Sequence, residues 1–91
     1  MELGKAIKEV RKEKKIKKKD LAKMCGISDT ALYNIERGVS FPTKNTIDRI
    51  CQSLNVPESY LLLCSISKED VPDGKWLAFQ VLHNSLKNLL V

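Results

Sequence analysis

From Leu21 to Gly38 the chain reads LAKMCGISDTALYNIERG, and few folds accommodate residues in that order. Leu21, Ala22 and Cys25 share a helical face for two turns, and Gly26 then supplies a residue suited to the left-handed conformation that ends helices. Ile27 follows as a buried hinge, and Ser28 can cap a second helix by accepting a backbone N–H. Ala31, Leu32 and Ile35 mark the inner face of that helix until Gly38 stops it. Two short helices joined by so tight a turn cross steeply. Such a pair can lay its first helix over a DNA backbone while the amino-terminal part of the second enters the major groove, which is wide enough for an α-helix.

On the amino-terminal side, Leu3, Ile7 and Val10 follow i, i+4, i+7 spacing, with Lys5, Lys8, Glu9, Lys12 and Glu13 on other faces. That pattern predicts an amphipathic helix of about three turns. Lys14-Lys15-Ile16-Lys17 breaks the spacing. After the central pair, Val39-Ser40-Phe41-Pro42 reads as a turn and Thr43 as a cap. Ile47, Ile50, Cys51 and Leu54 then form the buried stripe of a fourth helix that Asn55 can close. Pro57 suits a first helical position, so residues 57–64 read as a short fifth helix with Leu61 and Leu62 turned inward. Residues 65–74, with Pro72 and Asp73-Gly74, form a linker or surface loop. Beyond it Trp76, Phe79, Leu82, Leu86 and Leu89 step by 3, 3, 4 and 3, which predicts a sixth helix with spacing approaching a heptad. With no strand-like alternation and no repeat, the expected fold class is all-α. Residues 1–66 form a compact five-helix domain, and residues 67–91 a linker and an additional carboxy-terminal helix.

Ninety-one residues leave room for one domain, and a domain this small does not readily enclose a deep, dry cavity. A function at the surface is therefore expected. The net charge of +5 is unevenly placed: residues 1–49 hold thirteen basic and seven acidic side chains, residues 50–91 three and four. The basic half suits a polyanion, a solvated lysine-rich surface being the plain alternative. Cys25, Cys51 and Cys64 include no CxxC pair and have only His83 as an imidazole companion. They read as small apolar thiols in a reducing cytosol, and no metal site is expected. The longest apolar run, Tyr60 to Cys64, is too short to cross a membrane. The start, Met-Glu-Leu-Gly-Lys, lacks the apolar stretch of a secretion signal, so neither export nor a membrane span is expected. There is no acid pair, no Cys-His couple at a helpful spacing and no glycine-rich phosphate loop, so neither an enzyme nor a cofactor is expected.

Several separate features agree: Leu21-Ala22, Gly26-Ile27-Ser28, the Ile35-Glu36-Arg37-Gly38 exit, Pro42, and a fourth-helix stripe closing at Leu54-Asn55-Val56. Together they resemble the phage-repressor-type (XRE, lambda-repressor-like) helix-turn-helix domain over residues 3 to about 64. The resemblance implies a domain that binds double-stranded DNA in a prokaryotic or phage cytoplasm, associated with the nucleoid. It also implies that Arg11 on the first helix and Glu36 at the end of the third form an ion pair tying those helices together. A bidentate guanidinium–carboxylate bond suits that task; two separate surface charges are the alternative.

Residue by residue, the resemblance places Ser28, Asp29, Thr30, Tyr33 and Asn34 on the groove-facing side of the recognition helix. Asn34 can pair with adenine N6 and N7, Thr30 can offer a methyl to thymine or a hydroxyl to a base edge, and Asp29 can accept from cytosine N4. Tyr33 can reach a base or a phosphate. The alternatives are local: Ser28 only caps, Asp29 only complements the positive helix end, and Tyr33 packs its ring against the second helix. Two departures from the family stand out. Lys18 and Asp29 occupy places where Gln is common at the starts of the second and third helices. Lys17, Lys18 and Lys19 crowd the positive end of the second helix, at about 0.3–1 kcal/mol per badly placed charge, and only Asp20 offsets them. A phosphate there would remove that cost. Asp29 is repelled by a phosphate backbone and can serve to reject wrong sequences. Arg37, Ser40 and Lys44 match places where this family touches the second strand's phosphates.

The family domain ends before the sixth helix, whose stripe of Trp76, Phe79, Leu82, Leu86 and Leu89 must be covered. It packs on helices 1 and 5 of its own chain, or it pairs with a second subunit. His83 beside it reads as an ordinary interface or surface imidazole. The resemblance thus implies a sequence-specific transcriptional regulator, a repressor, binding as a homodimer to a two-fold operator. The alternative is an antitoxin or bridging-type interaction module whose carboxy-terminal helix grips a partner protein.

Overall fold

The computed structural model describes residues 2–90. Six α-helices follow one another: α1 (Leu3–Glu13), α2 (Lys18–Cys25), α3 (Asp29–Glu36), α4 (Lys44–Leu54), α5 (Glu58–Cys64) and α6 (Trp76–Leu90), with a 3-10 turn at Lys68–Asp70 before the last. The described residues contain no strand, so the all-α expectation holds. Ile7 of α1, Leu21 of α2, Leu32 of α3, Ile50 and Leu54 of α4 and Leu61 of α5 are all withdrawn from solvent. The first five helices therefore share one core, to which each such side chain contributes about 1.5–3 kcal/mol.

The turn between α2 and α3 is built from local signals. Gly26 adopts φ +69°, its N–H donates to the Lys23 carbonyl at 3.2 Å, and the Ile27 N–H donates to that of Ala22 at 3.0 Å. This paired closure satisfies carbonyls that the helix end would leave orphaned. Ser28 Oγ then accepts from the Ala31 N–H at 3.0 Å and starts α3. Asn55, at φ +56°, closes α4 with the same pair of bonds.

Two details of α5 differ from expectation. Pro57 is the cap, not the first helical residue: its ψ of 150° is extended, and its carbonyl accepts from the Tyr60 and Leu61 N–H groups. Leu62 is 37% exposed, whereas Tyr60 and Leu61 are buried. Successive helical residues turn through about 100°, so an inner face holding Tyr60 and Leu61 carries Leu62 outward.

The predicted stripe of α6 is likewise divided. Trp76, Phe79, His83, Leu86 and Leu90 are partly covered, and Leu86 and Leu90 pack on the core. Leu82 and Leu89 instead point outward with Leu77 and Val81, and Leu89 is 80% exposed. Two successive steps of three carry Leu82 about 120° back round the helix from Trp76, so the five residues do not lie on one line. The inner side is fastened by the Lys14 ammonium, which donates to the Leu90 carbonyl at 2.7 Å, and by the Lys87–Glu13 ion pair at 3.0 Å.

Candidate nucleic-acid interface

Helix α3 is two-sided. Leu32, Ile35 and Glu36 are buried, while Ser28, Asp29, Thr30, Tyr33 and Arg37 are exposed and Asn34 is half-buried. Asp29, Thr30, Tyr33, Asn34 and Arg37 fall at i, i+1, i+4, i+5 and i+8, one side of a helix. The hydroxyl of Ser28 is engaged as the cap. The side chains of Asp29, Thr30 and Asn34 make no hydrogen bond to other described residues, so their donors and acceptors are available to an incoming base edge. The carbonyl of Asn34 accepts from the N–H groups of Val39 and Ser40 at 2.9 and 3.2 Å, which folds the loop after α3 back beside that face.

The buried side of α3 is held by a charge. Arg11 Nε donates to Glu36 Oε2 at 2.7 Å and Nη2 to Oε1 at 3.1 Å, with Nη1 donating to the Ile16 carbonyl at 3.0 Å. The two partners implied by the family resemblance thus meet in a bidentate pair between α1 and the end of α3.

Cations flank the exposed side. Lys17 is the cap residue of α2 and gives it no side-chain hydrogen bond. The first N–H groups of that helix therefore point outward beside Lys17, Lys18 and Lys19, an arrangement suited to an anion. Lys18 Nζ lies 4.7 Å from the centre of the Tyr33 ring, and Arg37 Cζ lies 5.1 Å from the same centre. Ser40 is exposed in the following loop. Lys44 differs from the others, because its ammonium is shared between Asp48 at 2.6 Å and Glu58 at 3.0 Å. Those two carboxylates raise its pKa above the ordinary lysine value.

Sequence reasoning missed two contributors. Arg49 on α4 donates to the Cys25 carbonyl at 3.4 Å and so braces the turn that aims α3; its position on the polar side of α4 gave no sign of this. The gathering of Lys18 and Arg37 on Tyr33 was also missed, although the i, i+4 spacing of Tyr33 and Arg37 signals that they are neighbours.

All three cysteines are free thiols. Burial, then the nearby Glu58 and Asp48 carboxylates, pushes Cys51 up to about 11, so it stays neutral inside the core. Among the described residues no helix is long and apolar enough to cross a membrane.

A family model for a helix-turn-helix domain matches residues 4–63. A 10 kDa protein of the ImmF control region of Bacillus phage phi105 is 39% identical over 64 residues, which span 70% of this chain and 71% of that protein. The crystal structure of the clp gene regulator ClgR from Corynebacterium glutamicum shares the fold, with a TM-score of 0.68 over 97% of this chain and 85% of that one, at 22% identity.

Proposed function

Because the chain belongs to the helix-turn-helix domain family of the phage-repressor type, we propose that it is a sequence-specific DNA-binding transcription regulator. On this reading it is a repressor that reads the major groove with α3 as a dimer on a two-fold operator. One observation carries the reading: the outer side of α3 presents Asp29, Thr30 and Asn34 with their polar groups unspent, on the same helix as Tyr33, where Lys18 and Arg37 meet. Thr30 and Asn34 address base edges, with Asp29 accepting from cytosine N4, and Ser28 and Tyr33 stand beside them. Lys17, Lys18, Lys19, Arg37 and Ser40 hold phosphates, which sets register. Lys44 joins them only by exchanging a carboxylate for a phosphate. The similarity to a protein of a phage control region supports a regulatory role.

The test is to incubate the protein with genomic fragments at physiological salt, sequence what is retained, and measure affinities for the recovered motif. Asn34→Ala is expected to relax preference at one base pair, at about 1–3 kcal/mol. Lys18→Ala is expected to weaken every sequence alike and to flatten the salt dependence by about one unit of log K against log salt. If neither substitution changed binding, α3 would not be the reading helix.

The dimer rests on α6. Its outer side carries Leu77, Val81, Leu82 and Leu89, all more than half exposed, and its one lysine, Lys87, is committed to Glu13. A helix that carries leucines on its outer side as well as its inner one suits being covered on both. In a protein of net charge +5, an uncharged face is also where two copies meet with least repulsion. Half-sites about 34–36 Å apart suit such a two-fold pair. Sedimentation equilibrium is expected to give a dimer for the native chain and a folded monomer for Leu82→Lys. A monomeric native chain that co-purifies with a different small protein would instead favour the antitoxin or bridging reading.

A further inference from the structure

We propose that the Tyr33 ring is a platform that holds Lys18 and Arg37 together as one phosphate clamp, and that its role at the interface is this positioning and not base reading. The inference rests on the DNA-binding reading above and adds to it a residue acting through two others.

Three observations converge. Lys18 opens α2 and Arg37 caps α3, so they come from different helices, yet both lie within about 6 Å of one ring centre, the range of cation–π attraction. Neither cation has a carboxylate partner among the described residues. Tyr33 is 45% exposed, so it sits at the surface, where a nucleic-acid backbone would pass.

Two like charges brought to one place repel, and Lys18 is further opposed by the positive end of its own helix. A side chain that gathers them must attract both. A carboxylate would do so by cancelling their charge, as Asp48 and Glu58 do for Lys44. The negative face of an aromatic ring holds cations without neutralising them, so their charge remains available for a phosphate. It also limits the rotamers of two long side chains before DNA arrives, which lowers the ordering cost of binding. The clamp spans the start of α2 and the end of α3, so it fixes how the recognition helix sits across the backbone while carrying no sequence information itself.

The experiment measures affinity for a fluorescein-labelled duplex of mixed sequence, and for the duplex recovered by genomic selection, from about 50 to 200 mM salt. Tyr33→Leu removes the ring and Tyr33→Phe keeps it without the hydroxyl. With Tyr33→Leu, binding to both duplexes is expected to weaken about threefold to tenfold, with a salt slope shallower by about one unit. Tyr33→Phe restores both. Lys18→Ala has a smaller effect in the Tyr33→Leu background than in the native chain. Circular dichroism checks that each variant is folded. A Phe variant as weak as the Leu variant, a loss confined to the selected duplex, or an unchanged salt slope in Tyr33→Leu would each overturn the platform while leaving the DNA reading intact. Absence of salt-dependent binding by the native chain to either duplex would overturn the DNA reading, and the clamp with it.

Discussion

Arg11→Met is expected to lower the unfolding free energy by about 3–5 kcal/mol, the usual consequence of stranding one charge of a buried pair. That is a large share of the roughly 5–15 kcal/mol that holds a small domain folded. Arg11 and Glu36 are each only 7% exposed, and the guanidinium spends its Nε and Nη2 on the carboxylate and its Nη1 on the Ile16 carbonyl. With Arg11 gone, Glu36 faces the interior of α1 and α3 with neither water nor a donor, and the Ile16 carbonyl loses its partner as well. Glu36→Leu is expected to be similarly costly, because the guanidinium is then the stranded group. The double variant Arg11→Met/Glu36→Leu should recover most of the loss, since exchanging a whole buried pair for apolar groups is often neutral or favourable. Urea titrations of the four proteins give the coupling energy directly. Single variants that each lose under about 1 kcal/mol would mean the pair is solvated and does not lock α3 to α1. The pair adds little net stability by this argument; its effect is to fix the tilt of the helix that carries Asp29, Thr30 and Asn34.

What could be read from the residues alone divides along the line between local and tertiary causes. The turn at Gly26, the Ser28 cap and the Asn55 closure depend on neighbours within five residues, and each is present with its bonds in place. The α4 stripe of Ile47, Ile50, Cys51 and Leu54 is buried because a single-sided pattern admits a single orientation. Helix α6 carries apolar residues on both its inner and its outer side, so its sequence did not say which of them its own domain would take. The register of His83 and Leu90 decided that, turning Leu82 and Leu89 outward. On α5 the sequence pattern predicts Leu61 and Leu62 inward, whereas Tyr60 and Leu61 form the buried face. The exposed side of α3, with Ser28, Asp29, Thr30 and Tyr33, was legible by register, while the partners that Lys18 and Lys44 find on other helices, Tyr33 and Glu58, were not. Nothing in the spacing of α1 revealed the place of Gly4, which lies between Leu3 and Lys5 and reads as a mildly unfavourable helical residue.

Gly4→Ala separates the two kinds of cause, because propensity and packing predict opposite signs. By propensity alone the change favours α1 by about 1 kcal/mol. A Cβ at this position, however, falls 2.1 Å from the Ile35 carbonyl oxygen and about 3.1 Å from that of Glu36. Those atoms are backbone at the end of α3, so no rotamer change relieves the clash; α1 and α3 have to separate by more than about 1 Å to restore an ordinary van der Waals gap. Forcing an extra carbon into a packed contact costs about 1–3 kcal/mol, occasionally more, and here the same movement pulls on the Arg11–Glu36 pair. The expected net loss is about 2 kcal/mol or more, read as a fall in Tm of about 8–16 °C for a domain of this length. Because α3 is displaced along with its contacts, affinity for the selected duplex should also fall, although Gly4 lies on the buried side of α3, away from its exposed face. A Gly4→Ala protein as stable as the native chain, or more so, would mean that α1 and α3 do not approach backbone to backbone and that helix propensity decides the sign.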